Sequence, residues 1–143
     1  MKLVQLSLFI ENETGALAAP CRLLAEAGIS ISTLCLADTE EFGILRLLLR
    51  DWEKARELLD KAGFAVNTAE VLAMEVPDRP GGLAEVLEKL QTLSLNVEYM
   101  YAFTSGRDGK AIIIFRFEDV DGAITALQKE GLSPVSPVHL FDK

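Results

Sequence analysis

Shifting the sequence by 66 positions lays Asn12 on Asp78, Gly15 on Gly81, Leu17 on Leu83 and Ile29-Ser30-Ile31 on Leu95-Asn96-Val97. Further along the offset becomes 68, so that Asp51 meets Asp119, Ala55 meets Ala123, Leu59 meets Leu127 and Gly63 meets Gly131. The chain is an internal duplication, and the fold must be one that a half of this size can adopt twice. The repeat divides the 143 residues into units at 1-68 and 69-143. Units so small expose much surface for their volume, so the halves are expected to bury apolar area against each other or against a second chain. Half of all residues are hydrophobic and the mean hydropathy is +0.24, which agrees with such extra burial.

Each half reads as β-α-β-β-α-β. From Leu3 to Ile10 apolar residues alternate with Gln5, Ser7 and Phe9, as in a strand. A helix follows the Asn12 to Gly15 loop and ends at Gly28, a residue suited to the left-handed turn after a helix. Pro20 inside that helix predicts a kinked or late-starting first turn. Ile29 to Ala37 and Gly43 to Arg50 read as strands around a polar turn at Asp38 to Phe42. Asp51 is placed to cap a helix over Trp52 to Ala62, and Phe64 to Val66 opens a fourth strand. The second half repeats the order over Glu70 to Val76, Leu83 to Leu93, Leu95 to Thr104, Ala111 to Phe117, Asp119 to Glu130 and a closing strand from Leu132. The segment Ala69 to Ala73 fits both a closing and an opening strand. A β-α-β-β-α-β unit forms an antiparallel sheet with both helices on one face, the ferredoxin-like arrangement of the α+β class. Yet Ile44 to Leu49 and Ala111 to Phe117 are apolar at nearly every position, which predicts that the second sheet face is covered too.

The net charge is −8 and is evenly spread, with seven Lys or Arg and eleven Asp or Glu up to Glu70 and the same counts after it. No basic patch or run exists, which argues against nucleic acid or an anionic membrane as a partner. No apolar run approaches the ~20 residues that span a bilayer, and with no cleavable leader pattern the expectation is a soluble, cytoplasmic protein. Cys21, Cys35 and the single His139 have no metal-ligand spacing, so neither a metal nor a cofactor is expected.

The chemistry gathers where the first strand of each half turns into its first helix. Gly15 and Gly81 lack a Cβ, so a ligand can approach the backbone. The first helical N–H groups and the helix dipole favour a carboxylate, and the side chains of Asn12 and Asp78 can accept from an ammonium group. A zwitterion fits, although Asx and Gly are also ordinary capping residues.

The run Val76-Pro77-Asp78-Arg79-Pro80-Gly81-Gly82-Leu83-Ala84-Glu85-Val86-Leu87, followed by Leu95-Asn96-Val97, resembles the signature of ACT domains, amino-acid-sensing modules of metabolic enzymes and regulators. The first half matches through Asn12, Gly15, Leu17, Ala27-Gly28-Ile29 and Ile31. The likeness spans the chain as a tandem pair, close to stand-alone two-ACT proteins. It implies a ligand held where two ACT units meet, with the loop from one unit and the start of the second strand from its neighbour. Carried over by position, the contacts are Asn12, Thr14, Gly15, Ala16 and Leu17, then Asp78, Pro80, Gly81, Gly82 and Leu83, facing Ser30, Ile31, Asn96 and Val97. Half one departs from the pattern at Asn12, Thr14 and Pro20.

Other conspicuous residues have plainer readings. Tyr99, Tyr101 and Phe103 share one strand face and read as core or interface. Cys21 and Cys35 read as buried small hydrophobes, His139 as a structural residue of the terminal strand, and Trp52 as a packing anchor. Arg46, Arg50 and Arg116 read as solvated strand edges. No nucleophile elbow, Walker loop or dinucleotide fingerprint occurs. The expected function is a non-catalytic, amino-acid-binding regulator that forms a homodimer, with a branched or aromatic amino acid as ligand and an enzyme as a further partner. Two alternatives stand beside it: a regulatory subunit of an amino-acid biosynthetic enzyme, as in acetolactate synthase, and a small ferredoxin-like enzyme.

Overall fold

Alternation along the first strand sets the inner face of the first unit. The computed structural model describes residues 1–38 and 41–141, and its contacts divide the chain into Val4–Ala69 and a second unit of Met1–Leu3 with Glu70 onward. In the first unit, β1 (Leu3–Glu11), α1 (Ala18–Glu26), β2 (Thr33–Asp38), β3 (Phe42–Leu48) and α2 (Trp52–Lys61) follow in order. β3 is central, antiparallel to β1 with Leu8 opposite Leu45 and to β2 with Leu36 opposite Leu45. Leu6, Leu8 and Ile10 meet Leu45, Leu47 and Leu49 and the helix residues Leu24, Ala55 and Leu59 in one core, with Trp52 packed against it. Fully burying a leucine contributes about 1.5–3 kcal/mol, so this stripe is what fixes the strand register.

β4 (Ala65–Pro77) is one uninterrupted strand that supplies residues to both units, the single long strand allowed for around Ala69 to Ala73. The second unit continues with α3 (Gly82–Thr92), β5 (Val97–Ala102), β6 (Lys110–Phe117), α4 (Val120–Lys129) and α5 (Pro137–Phe141). Here β6 is central, antiparallel to β4 and β5, and a register shift interrupts β5 between Val97 and Tyr99. Its core joins Leu72, Met74, Phe115 and Phe117 to Leu90, Val120, Ala123 and Leu127. The fold is mixed α+β with antiparallel sheets, as the ferredoxin-like reading requires.

Backbone geometry repeats as faithfully as the sequence. Gly15 and Gly81 have φ +88° and +86°, Gly63 and Gly131 +90° and +74°. Gly28 (φ +71°) has Ser94 (φ +56°) at its repeat position. Pro20 is the third residue of α1, where its missing N–H has no helical partner to lose. The late helix start anticipated for this proline is what forms.

Three expectations are corrected. Leu132 onward does not form a strand: Ser136 precedes the short helix α5 and its Oγ accepts from the His139 amide at 3.3 Å. Pro134 and Pro137 explain the change, since proline cannot donate to a ladder and is favoured just inside a helix after a serine cap. The segment still meets β4 through one bond, Val135 N–H to Ala73 O at 2.7 Å. Arg46 lies on the central strand β3 and is half-buried, not at a solvated edge. Cys21 and Cys35 are free and only half-buried. The polar turn placed at Asp38 to Phe42 falls in part on residues 39 and 40, outside the described residues.

The face opposite the helices is buried over part of its extent, while Phe9 on it is 49% exposed. Leu48, Val71, Ala73, Ile112, Ile114 and Tyr101 alternate with the core residues along their strands and are all buried. In the second unit His139 and Ser136 share a hollow with Met74, Glu75, Ile112 and Leu132, and Leu140 is 1% exposed.

Candidate functional site

In each half the strand-to-helix loop is pinned from outside by the tip of the neighbouring hairpin. The Asn12 amide donates to Glu41 O at 3.0 Å, and the Asp78 amide donates to Gly109 O at 3.0 Å. Inside the loop the bond repeats as well, from Ala16 N–H to Glu13 O (3.2 Å) and from Gly82 N–H to Arg79 O (2.9 Å). The two loops are therefore the same turn built twice. With the backbone fixed at the Asx position, the side chains of Asn12 and Asp78 stay on the surface, and both residues are exposed.

The glycines satisfy two separate requirements in the second loop. Gly81 is the N-cap of α3 and left-handed, and a Cβ there would meet nothing within 4 Å. Gly82 is buried, and a Cβ on it would run into the Pro77 carbonyl. No side chain caps α3 or α1, so first-turn N–H groups in both halves are not claimed by a capping residue. In the first half Ala16 stands where Gly82 stands, and α1 begins two residues later in the repeat than α3 does.

Electrostatics separates the two loops. Arg79 grips Glu85 through both carboxylate oxygens, at 3.0 and 2.8 Å, which staples the second loop across its glycines with no net charge. Glu13 occupies the repeat position of Arg79. The hydrogen bond that the protonated Glu13 carboxyl donates to Glu11, and then the charge of Glu11, hold Glu13 above the usual carboxylate range. Because the folded value is raised, the stability this pair contributes is fully present below the ordinary carboxylate range and is lost as pH rises through the raised value. The first loop thus places two acidic side chains next to each other, an unfavourable setting for the carboxylate of a zwitterion.

Thr14, Gly15 and Leu17 in the first loop are exposed, with Ala16 half-buried; Pro80, Gly81 and Leu83 in the second are exposed. Leu17 and Leu83, matched by the repeat, present 40% and 37% of their surface. Ser30 and Ile31 precede β2, while Asn96 precedes β5 and Val97 is its first residue. Asn96 and Val97 line a hollow of about 310 Å³ at the far end of α3, with Leu87, Leu90 and Ser94. Neither unit joins its own loop to its own strand start. The two groups lie at opposite ends of α3, whose 11 residues span roughly 16 Å, and likewise of α1.

The sequence reading missed the bond from the hairpin tip to each loop. Its signal, a turn of Arg107-Asp108-Gly109 with Asp108 and Gly109 both left-handed, was visible only as a hairpin. Among the described residues no group of three or more His, Cys, Asp or Glu could hold a metal ion, and no helix is long and apolar enough to cross a membrane.

A family model described as "ACT domain pair" matches residues 1–141. The crystal structure of protein BT0572 from Bacteroides thetaiotaomicron is similar at 34% identity and a TM-score of 0.90, covering 100% of this chain and 98% of that one. The ligand-free regulatory subunit of aspartate kinase from Thermus thermophilus matches at 16% identity and a TM-score of 0.64, covering 89% and 91%. Aspartate kinase from Synechocystis matches at 17% and 0.60, covering 95% of this chain but 27% of that one. At such identities these last two likenesses are of fold alone. No curated protein sequence matches the chain.

Proposed function

The chain belongs to the family of ACT domain pairs, and from that premise we propose that it is a non-catalytic regulatory protein that binds a free amino acid at its strand-to-helix loops. The two units proposed are 1-68 and 69-143. What supports the reading is the loop built twice with the same backbone, each copy anchored by a hairpin carbonyl and leaving an Asx side chain, a left-handed glycine and an uncapped helix start on the surface. In this reading Asp78 accepts from the α-ammonium group, and the N–H groups at Leu83 and Ala84 face the carboxylate side. Exposed Leu83 meets an apolar side chain, which favours a branched or aromatic amino acid. The loop of the second unit is the principal site, because the first carries the Glu11 and Glu13 carboxylates.

A second copy of the chain is the proposed partner. Regulation follows by linkage: an amino acid with unequal affinity for two arrangements shifts their populations, and a partner enzyme responds to the shift. The alternative of a subunit held permanently by a catalytic chain is distinguished by co-purification. A small enzyme is disfavoured by the second loop itself, where Arg79 is committed to Glu85.

A thermal-denaturation screen of the twenty amino acids tests the proposal. A ligand at 100 times its Kd stabilises the folded form by about 2.7 kcal/mol, a rise in Tm on the order of 10 °C for a chain this long. Asp78→Ala, losing a charge-assisted hydrogen bond, weakens Kd by roughly 10- to 100-fold, while Asn12→Ala leaves most of the response. If no amino acid moves Tm, the sensor reading fails; if Asp78→Ala responds like the parent, the site lies elsewhere.

A further inference from the structure

The divergence of the C-terminal segment from the repeat creates a second cavity. Where the first half passes into β4, the second unit runs through Gly131 to Ser136 into α5, and this segment walls a hollow of about 680 Å³. That size lies in the range of about 300–1,000 Å³ usual for small-molecule sites. Its polar wall is Arg107, Lys110, His139, Ser136 and the single carboxylate Glu75; Met74, Ile112 and Leu132 form the apolar wall. The hollow gathers two full cations and the chain's only histidine on a protein of net charge −8.

The groups are held in place. Arg107 Nη2 donates to His139 O at 3.2 Å, which ties the hairpin to α5 across the mouth. Lys110 Nζ pairs with Glu75 at 3.0 Å. The His139 ring is oriented by Nδ1, which lies 3.0 Å from Ser136 Oγ, so its other nitrogen is the one available to a ligand. Glu75 balances Lys110, and the remaining guanidinium donors of Arg107 leave the cavity with a surplus positive charge beside an apolar floor.

We infer that this hollow binds a small carboxylate with a short apolar body. One carboxylate group accepts from Arg107, with Lys110 and His139 at its side, and the apolar body lies against Met74, Ile112 and Leu132. The site is distinct from the strand-to-helix loop and has no counterpart in the first half, where nothing corresponds to α5.

The test is calorimetric titration of the full chain with pyruvate, 2-oxobutyrate, isovalerate and succinate, and with inorganic phosphate as a compact anion. At probe concentrations up to roughly 10 mM, at least one monocarboxylate binds saturably and more tightly than phosphate. Arg107→Gln weakens that binding by about tenfold or more, a loss of one charge-assisted contact. Because Arg107 also fastens α5, Lys110→Gln serves as a second variant that leaves the Arg107 to His139 bond intact and still weakens binding severalfold. Absence of saturable binding by every carboxylate, preference for phosphate, or unchanged affinity in both cavity variants overturns the assignment.

Discussion

Gly81 and Gly82 are neighbours with unrelated duties. At Gly81 the backbone is left-handed and the space beyond it open, so Gly81→Ala costs about 1 kcal/mol of conformational strain. At Gly82 the obstacle is the Pro77 carbonyl, part of β4 and unable to yield without disturbing the strand. Gly82→Ala is expected to cost more, about 1–3 kcal/mol as an overpacked contact, read as the shift in urea midpoint between the two variants; equal shifts would refute the distinction. The sequence displays the pair as a single Gly-Gly feature. Which glycine is demanded by φ and which by a facing carbonyl depends on the path of β4 past the loop, and no local pattern encodes that path. The same limit hid Ser94, which takes the left-handed conformation that Gly28 takes in the first half.

At the scale of elements, most of the molecule was legible. Alternation in β1, the cap at Asp119 and the stop at Gly63 are local signals, and Asp119 does accept from the Gly122 amide at 3.0 Å, whereas Asp51 stands at the N-cap of α2 without a side-chain cap bond. The closing strand of the second half failed because the repeat was allowed to outweigh Pro134 and Pro137, whose chemistry favours a break and then a helix. The helix formed there has a structural role through Leu140, which is 1% exposed. Leu140→Ala is expected to cost about 2–5 kcal/mol as a buried large-to-small change, measured by chemical denaturation. A cost below 1 kcal/mol would mean that α5 is not part of the folded core.

At the scale of the whole molecule, the apolar excess inferred from composition is still partly on view. Leu34 and Leu36 on β2 are 51% and 45% exposed, and Met100 on β5, the repeat partner of Leu34, is 40% exposed. Both strands are edges of their sheets, where exposed apolar side chains favour association. For the proposed homodimer, sedimentation analysis of the parent gives a dimer, and the double variant Leu34→Asp with Met100→Asp gives a folded monomer. A monomeric parent would remove the dimer from the proposal. Composition announced that apolar surface had to be covered, but not which strands carry it, because edge position follows from topology. One feature of the loops bears on how such a molecule can be observed. The Asn12 and Asp78 amides, each donated to a hairpin carbonyl, are chemically alike and distinct in sequence. In a two-dimensional NMR spectrum they are a native pair of reporter resonances, one for each loop, able to tell single from double occupancy without any label attached to the protein.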